Sequence, residues 1–127
     1  MSSILVIDDD IAAAKLLELS LVRAGHRVEV IRDVTAGRKA LQASSPDLVI
    51  LDVFLPDGSG LDLLRYVRQD LRWTIPVIVL SGHRQEEFSA RAARVGATSY
   101  VTKPFSPRAL VLEVERLTGR AGVATIR

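Results

Sequence analysis

Three short runs of consecutive apolar residues, at 4–7, 48–51 and 77–80, constrain this chain more than any other feature. Runs of this length without alternation suit strands covered on both faces. Two further runs, at 28–31 and 99–102, are more mixed, and Arg27, Glu29 and Arg32 flank the first of them. That character suits the edges of a sheet. Between the runs the apolar spacing turns helical. The first helix covers about 11–24, with Ala13, Leu16, Leu17, Ser20 or Leu21, and Ala24 on its stripe and Gly25 as its stop. The others cover about 34–43, 61–70, 85–95 and 107–118, the last two stopped by Gly96 and Gly119. Asp9 or Asp10 can cap the first helix. Residues 59–62 (Ser-Gly-Leu-Asp) have capping-box spacing, and Ser106-Pro107 is a cap followed by proline at the first helical position. His26 reads as a half-buried strand-entry residue, and Trp73 as a loop cover over one sheet end.

Strand and helix alternate five times, with connections too short for a second domain. The expected fold is α/β: a doubly wound, five-stranded parallel sheet of order 2-1-3-4-5, flavodoxin-like (βα)5, joined by right-handed crossovers. Residues 1–119 would form the domain and 120–127 a tail or the start of a linker. With 48% hydrophobic residues the chain has enough apolar surface for a core. Its 17 basic and 15 acidic residues leave a formal charge of +2, with no basic stripe to bind nucleic acid. The absence of cysteine excludes disulfides and thiolate chemistry. No apolar run reaches the roughly 18–20 residues that span a membrane, and the start lacks signal-peptide character, so a cytoplasmic location is expected.

In a parallel sheet the carboxyl ends of all strands lie on one edge, and ligands bind where the winding reverses. For this order that point lies between strands 1 and 3. Strand 1 ends in Asp8-Asp9-Asp10, strand 3 in Asp52, strand 4 in Ser81 and strand 5 in Lys103. The turn Pro56-Asp57-Gly58 follows Asp52 closely. Clustered carboxylates repel one another unless a counter-charge is near. Lys103 supplies part of it, and Mg2+, held by carboxylates, carbonyls and water, would supply the rest. Such a site would cradle a phosphoryl group. Taken singly, the acids could be a helix cap, Ser81 a turn residue and Tyr100 edge-strand packing.

Together these residues resemble the receiver domains of two-component response regulators, the chemotaxis-regulator-like family. The resemblance covers residues 3–118. It rests on residues 4–10 (Ile-Leu-Val-Ile-Asp-Asp-Asp), residues 51–60 (Leu-Asp-Val-Phe-Leu-Pro-Asp-Gly-Ser-Gly), Ser81-Gly82-His83 and Lys103-Pro104-Phe105, in order and at family spacing. It implies that Asp52 accepts a phosphoryl group from the phosphohistidine of a sensor histidine kinase or phosphotransfer protein. Asp9, Asp52 and the Phe54 backbone carbonyl would hold Mg2+, with Asp8 acting through water. Lys103 and Ser81 would contact the phosphoryl oxygens, and the Lys103-Pro104 bond is often cis. Ser81 and Tyr100 would form a switch that remodels the face made by the fourth helix, fifth strand and fifth helix, for a partner or output domain. Phe54 and His83 flank the pocket mouth and would tune the access of water to the acyl phosphate. The resemblance implies a signalling module rather than an enzyme acting on outside substrates.

Three other functions compete. A receiver-like interaction module that never carries phosphate would not need all the acids and the lysine retained here. An FMN carrier of the same topology would not place Asp8-Asp9-Asp10 against a phosphate. An aspartyl-phosphate phosphatase would carry an acid where Phe54 stands. Relatives that dimerise through the fourth-helix/fifth-strand/fifth-helix face usually have two acids where this chain has Thr98 and Ser99. Val111, Glu113 and Glu115 stand where basic partners are expected, and Arg91, Arg94 and Arg108 are expected on the exposed face.

Overall fold

The computed structural model describes residues 2–82 and 86–119, with residues 86–88 described by backbone alone. In order the elements are β1 (Ser3–Ile7), α1 (Ile11–Arg23), β2 (Arg27–Ile31), α2 (Val34–Ala43), β3 (Leu48–Asp52), α3 (Gly60–Arg65), β4 (Val77–Ser81), α4 (Glu86–Val95), β5 (Ser99–Thr102) and α5 (Pro107–Leu117). A two-residue antiparallel ladder, Phe54–Leu55 with Gly58–Ser59, links β3 to α3. The sheet is parallel throughout and runs β2-β1-β3-β4-β5, the expected order.

The apolar runs alternate between two cores. Leu5, Ile7, Val49, Leu51, Val77 and Val79 face the side packed with Leu61, Leu63, Leu64 and Ala92. Ile4, Val6, Leu48, Ile50, Ile78 and Leu80 face the side packed with Leu17, Leu21, Leu110 and Val114. A strand buried on both faces needs an unbroken apolar run, and residues 4–7, 48–51 and 77–80 supply one, which is why β1, β3 and β4 are central. β2 and β5 are only partly buried and take the edges.

Local chemistry sets the helix ends. Asp10, Asp33, Ser59 and Ser106 accept from the N–H groups of Ala13, Ala36, Leu61 and Ala109. Gly25 and Gly96 leave their helices at φ +95° and +119°, where a side chain would be strained.

Four details differ from the sequence reading. α1 buries Ala14, Leu17 and Leu21, while Leu16 is 44% exposed, because the buried stripe runs one position round the helix from the one expected. The third helix does not stay α-helical to Asp70. Beyond Arg65 it widens into a π turn, Tyr66–Asp70, in which Leu71 N–H donates to Tyr66 O. Asp62 pairs with Arg65 at 3.0 Å instead of completing a capping box. His26 is buried, not half-buried: Ser2 N–H donates to its Nδ1 at 3.3 Å, and Glu115 of α5 lies 3.6 Å from its Nε2. Trp73 does pack on the core, and Arg68 donates to its carbonyl at 2.8 Å.

The start of α3 is pressed against the end of β3. Gly60 N–H donates to Val53 O at 2.7 Å, and a Cβ on Gly60 would run into the Asp52 backbone carbonyl. Backbone cannot move aside as a side chain can. Gly60→Ala should therefore cost about 3 kcal/mol in urea denaturation. Gly37→Ala, whose Cβ would meet only the side-chain ends of Leu63 and Ile7, should cost under about 1 kcal/mol.

Candidate functional site

β1, β3 and β4 release Asp8, Asp52 and Ser81 at one edge of the sheet, and Lys103 follows β5 on that edge. Asp8 continues the alternation of Ile4 and Val6, and Asp52 that of Leu48 and Ile50, so both carboxylates leave on the α1–α5 side. Lys103 is in step with Val101 on the same side. Its ammonium reaches both acids: Nζ lies 3.1 and 2.9 Å from Asp8 Oδ1 and Oδ2, and 3.2 Å from Asp52 Oδ2. Asp10 Oδ2 is 3.8 Å away. The Lys103-Pro104 peptide is cis. Asp8 and Asp52 are 2% and 7% exposed, whereas Asp9 stands in the open.

Burial drives the electrostatics. It pushes the Asp52 carboxyl up to about 6; the Lys103 charge pulls it down and the Asp8 charge adds to the rise. Burial also opposes the Lys103 ammonium, but its hydrogen bond to Asp8 and the two carboxylate charges outweigh that, so its pKa lies above the ordinary lysine value.

Asp8, Asp9 and Asp52 each present a carboxylate oxygen, and these lie within 4.8 Å of one another. Asp8 Oδ2 is buried, with the Lys103 ammonium 2.9 Å away. Three carboxylates sharing one ammonium keep surplus negative charge, and such an oxygen-rich donor set suits a hard divalent cation. Phe54 lies at the rim, 47% exposed, with its N–H 3.4 Å from Asp52 Oδ1. Ser81 is wholly buried at the end of β4, and its carbonyl accepts from Lys103 N–H at 2.8 Å. Tyr100 is partly buried and packs on the α3 side of the sheet, the side with which Ser81 is in step through Val77 and Val79. His83 lies outside the described residues.

Two neighbours of the site do more than the sequence reading assigned them. Asp10 does more than cap α1, since its N–H donates to Asp8 Oδ1 at 3.0 Å and its carboxylate faces Lys103. Asp57 reads as a turn residue, yet its carboxylate accepts from Val34 N, Thr35 N and Thr35 Oγ1. The Val34 N–H, followed by the Thr35 hydroxyl, holds its carboxyl below the ordinary value. No spacing rule marks Asp57, because its partners lie 22 and 23 residues away.

Among the described residues no helix is long and apolar enough to cross a membrane. The model of the response regulator receiver domain matches residues 4–115. The transcriptional regulatory protein GltR of Pseudomonas aeruginosa is 38% identical over 126 residues, which are 98% of this chain and 52% of GltR. The probable transcriptional regulatory protein TcrX of Mycobacterium tuberculosis is 35% identical over 98% of this chain and 53% of its own. The chain thus spans about half the length of the curated relatives it matches. A CheY-like receiver domain protein from Methanospirillum hungatei JF-1 superposes with a TM-score of 0.88 at 28% identity, over 94% of this chain and 95% of that one. The BeF3-activated DrrB receiver domain gives 0.82 at 33% identity, over 92% and 97%. Fold, site and sequence agree, and this chain belongs to the response regulator receiver domain family.

Proposed function

We propose that this domain accepts a phosphoryl group on Asp52 from the phosphohistidine of a sensor histidine kinase or phosphotransfer protein. It passes the signal to a partner or output domain through the face formed by α4, β5 and α5. The observation that carries this reading is one ammonium, Lys103 Nζ, within 3.2 Å of both Asp8 and Asp52 at the carboxyl edge of the sheet. Supporting it, the related DrrB receiver domain is known in a BeF3-activated state.

In this reaction an Asp52 oxygen attacks phosphorus, the phosphorus–nitrogen bond breaks, and its electron pair returns to the histidine ring. The product is an acyl phosphate on Asp52. Lys103, fixed by Asp8, pairs with the phosphoryl oxygens, and the Ser81 hydroxyl donates to one of them. Mg2+ held by Asp9, Asp52 and the Phe54 carbonyl, with Asp8 through water, would neutralise charge on the phosphoryl oxygens. Tyr100 shares with Ser81 the side of the sheet that α4 covers. A displacement of Ser81 toward the phosphoryl group would thus be felt by the aromatic ring. In the Ser99 region, Ser99 Oγ and Arg116 both donate to Glu113, so the polar groups of β5 and α5 are paired within the chain. Arg91, Arg94 and Arg108 are exposed, and Arg108 lines a groove with Ser20, Arg23 and Ala24 beside α1 rather than the side toward α4.

Incubation with Mg2+ and acetyl phosphate should add the mass of one phosphoryl group to the intact chain. Asp52→Ala should abolish the gain, and Lys103→Met should slow it at least about ten-fold. No gain in the unaltered chain would refute the acceptor role.

Asp52 also makes the metal-free chain's stability depend on pH. Its carboxyl binds a proton more tightly when folded, near 6, than at its ordinary 3.8. Asp52's own contribution to the folded state is therefore greatest below about pH 4 and drains away as pH rises through about 6. Asp52→Asn should raise stability at about pH 7.5 by about 1–2 kcal/mol, allowing for solvent screening at the rim, and leave it unchanged near pH 4. Millimolar Mg2+ should raise the Tm of the unaltered chain at pH 7.5, and Asp9→Ala should lose most of that rise.

A further inference from the structure

α2 has its own cap. Asp33 accepts from Ala36 N–H at 2.7 Å, and Gly37 N–H donates to Asp33 O. Asp57 adds a second carboxylate from a distant part of the chain, taking Val34 N–H at 2.7 Å, Thr35 N–H at 3.1 Å and the Thr35 hydroxyl at 2.8 Å. Water at an exposed helix end could satisfy the same donors, so α2 gains little from Asp57. What the three bonds fix is the loop that carries Asp57.

That loop is the one leaving Asp52. Leu55 is buried, Phe54 and Leu55 ladder with Ser59 and Gly58, and Gly60 N–H closes back on Val53 O. Phe54 stands between the acceptor and the tether. Its N–H meets Asp52 Oδ1 at 3.4 Å, long enough that a small movement of the loop would tighten or abolish the bond. The far end of the tether is firm. Gly37 of α2 fits closely against Leu63 and Ile7, and the Arg38 guanidinium sits 4.3 Å over the Tyr66 ring.

We propose that Asp57 is a positioning residue: by tying the loop after β3 to the first turn of α2, it holds Phe54 at the mouth of the acceptor site. This rests on the reading of Asp52 as the phosphoryl acceptor and extends it, because α2 becomes part of what sets the phosphoryl lifetime. With the tether cut, the turn at Asp57 and the short ladder that carries Phe54 loosen while Leu55 stays in the core, and water reaches the acyl phosphate more often. In hydrolysis the water oxygen attacks phosphorus, and the bond from phosphorus to the Asp52 oxygen breaks. Asp52 recovers its carboxylate, and inorganic phosphate leaves with the protons of the water or gives one to solvent.

The test is a double-mutant cycle on acyl-phosphate half-life, with amide hydrogen exchange measured on the unphosphorylated chain. Asp57→Ala should shorten the half-life about five-fold, and Asp57→Asn, which keeps one acceptor, should shorten it less. In a Phe54→Ala background, Asp57→Ala should change it little, since its effect runs through Phe54; a general loss of stability would act equally in both backgrounds. Exchange at Phe54, Val34 and Thr35 should quicken together in Asp57→Ala. Should that variant not fold, Thr35→Val removes one of the three bonds and should give the same pattern at smaller size. An unchanged half-life, or full additivity with Phe54→Ala, would overturn the proposal. Were the unaltered chain to take up no phosphoryl group, the acceptor reading would fall. The tether would then be decided by exchange alone, with faster exchange at Phe54 supporting it and unchanged exchange ending it.

Discussion

Asp8 and Asp52 stand together where β1 and β3 leave the core, and Lys103 Nζ lies within 3.2 Å of both. Two buried carboxylates with no cation would be a serious cost to the fold, and removing one partner of such a cluster leaves a charge stranded. The cluster therefore demands a particular backbone. β1 must pair with β3 so that Ile7 faces Leu51, and β3 with β4 so that Asp52 faces Leu80. A slip of one residue would turn the alternation over, carrying Asp52 to the opposite side of the sheet and away from Lys103. The apolar residues impose the same register, since every apolar position of β1, β3 and β4 belongs to one core or the other. Packing and electrostatics thus select one arrangement, and the residual negative charge is what remains for a ligand.

The alternation also divides labour across the sheet. Asp8, Asp52 and Lys103 are in step with residues that pack toward α1 and α5, whereas Ser81 and Tyr100 are in step with those packing toward α3 and α4. In the proposed function, chemistry occupies one side of the sheet's rim and readout the other. They meet where β3 and β4 end side by side. Ser81 lies one residue beyond Leu80, the register partner of Asp52, so it is placed where the two sides join.

Much of this could be read from the sequence because it depends on neighbours along the chain. A run such as residues 48–51 has no face to offer water, so its central place follows from composition. Asp10, Ser59 and Ser106 cap the helices they precede, and the four chemical strand ends share an edge once the strands are parallel. What could not be read depends on contacts between distant segments. The inward face of α1 is fixed by where Leu17 and Leu21 meet β1, β3 and α5, not by α1's own spacing. The burial of His26 follows from Ser2 and from Glu115 on the last helix. The π turn after Arg65 accompanies Arg68's hold on the carbonyls of Trp73 and Gly96, the second of them just past the end of α4. Asp57 looks like a turn residue until α2 is placed beside it.

The segment between Asp52 and Gly60 shows why such long-range contacts matter for function. At its end, Gly60 allows α3 to press against the Asp52 carbonyl; in its middle, Leu55 sits in the core and Asp57 reaches α2. A loop of this length would ordinarily be among the more mobile parts of a domain. In the proposed function each attachment removes a freedom that the acceptor site could not tolerate, because a nucleophile must meet its substrate within a fraction of an ångström. The attachments are also unequal. Gly60 and Leu55 are built into the packing and cannot be released without disturbing the core, whereas Asp57 is exposed and holds by hydrogen bonds alone. If the loop has an adjustable fastening, the physical chemistry places it at Asp57, where a change on the outer surface near α2 can reach Phe54 without unpacking anything.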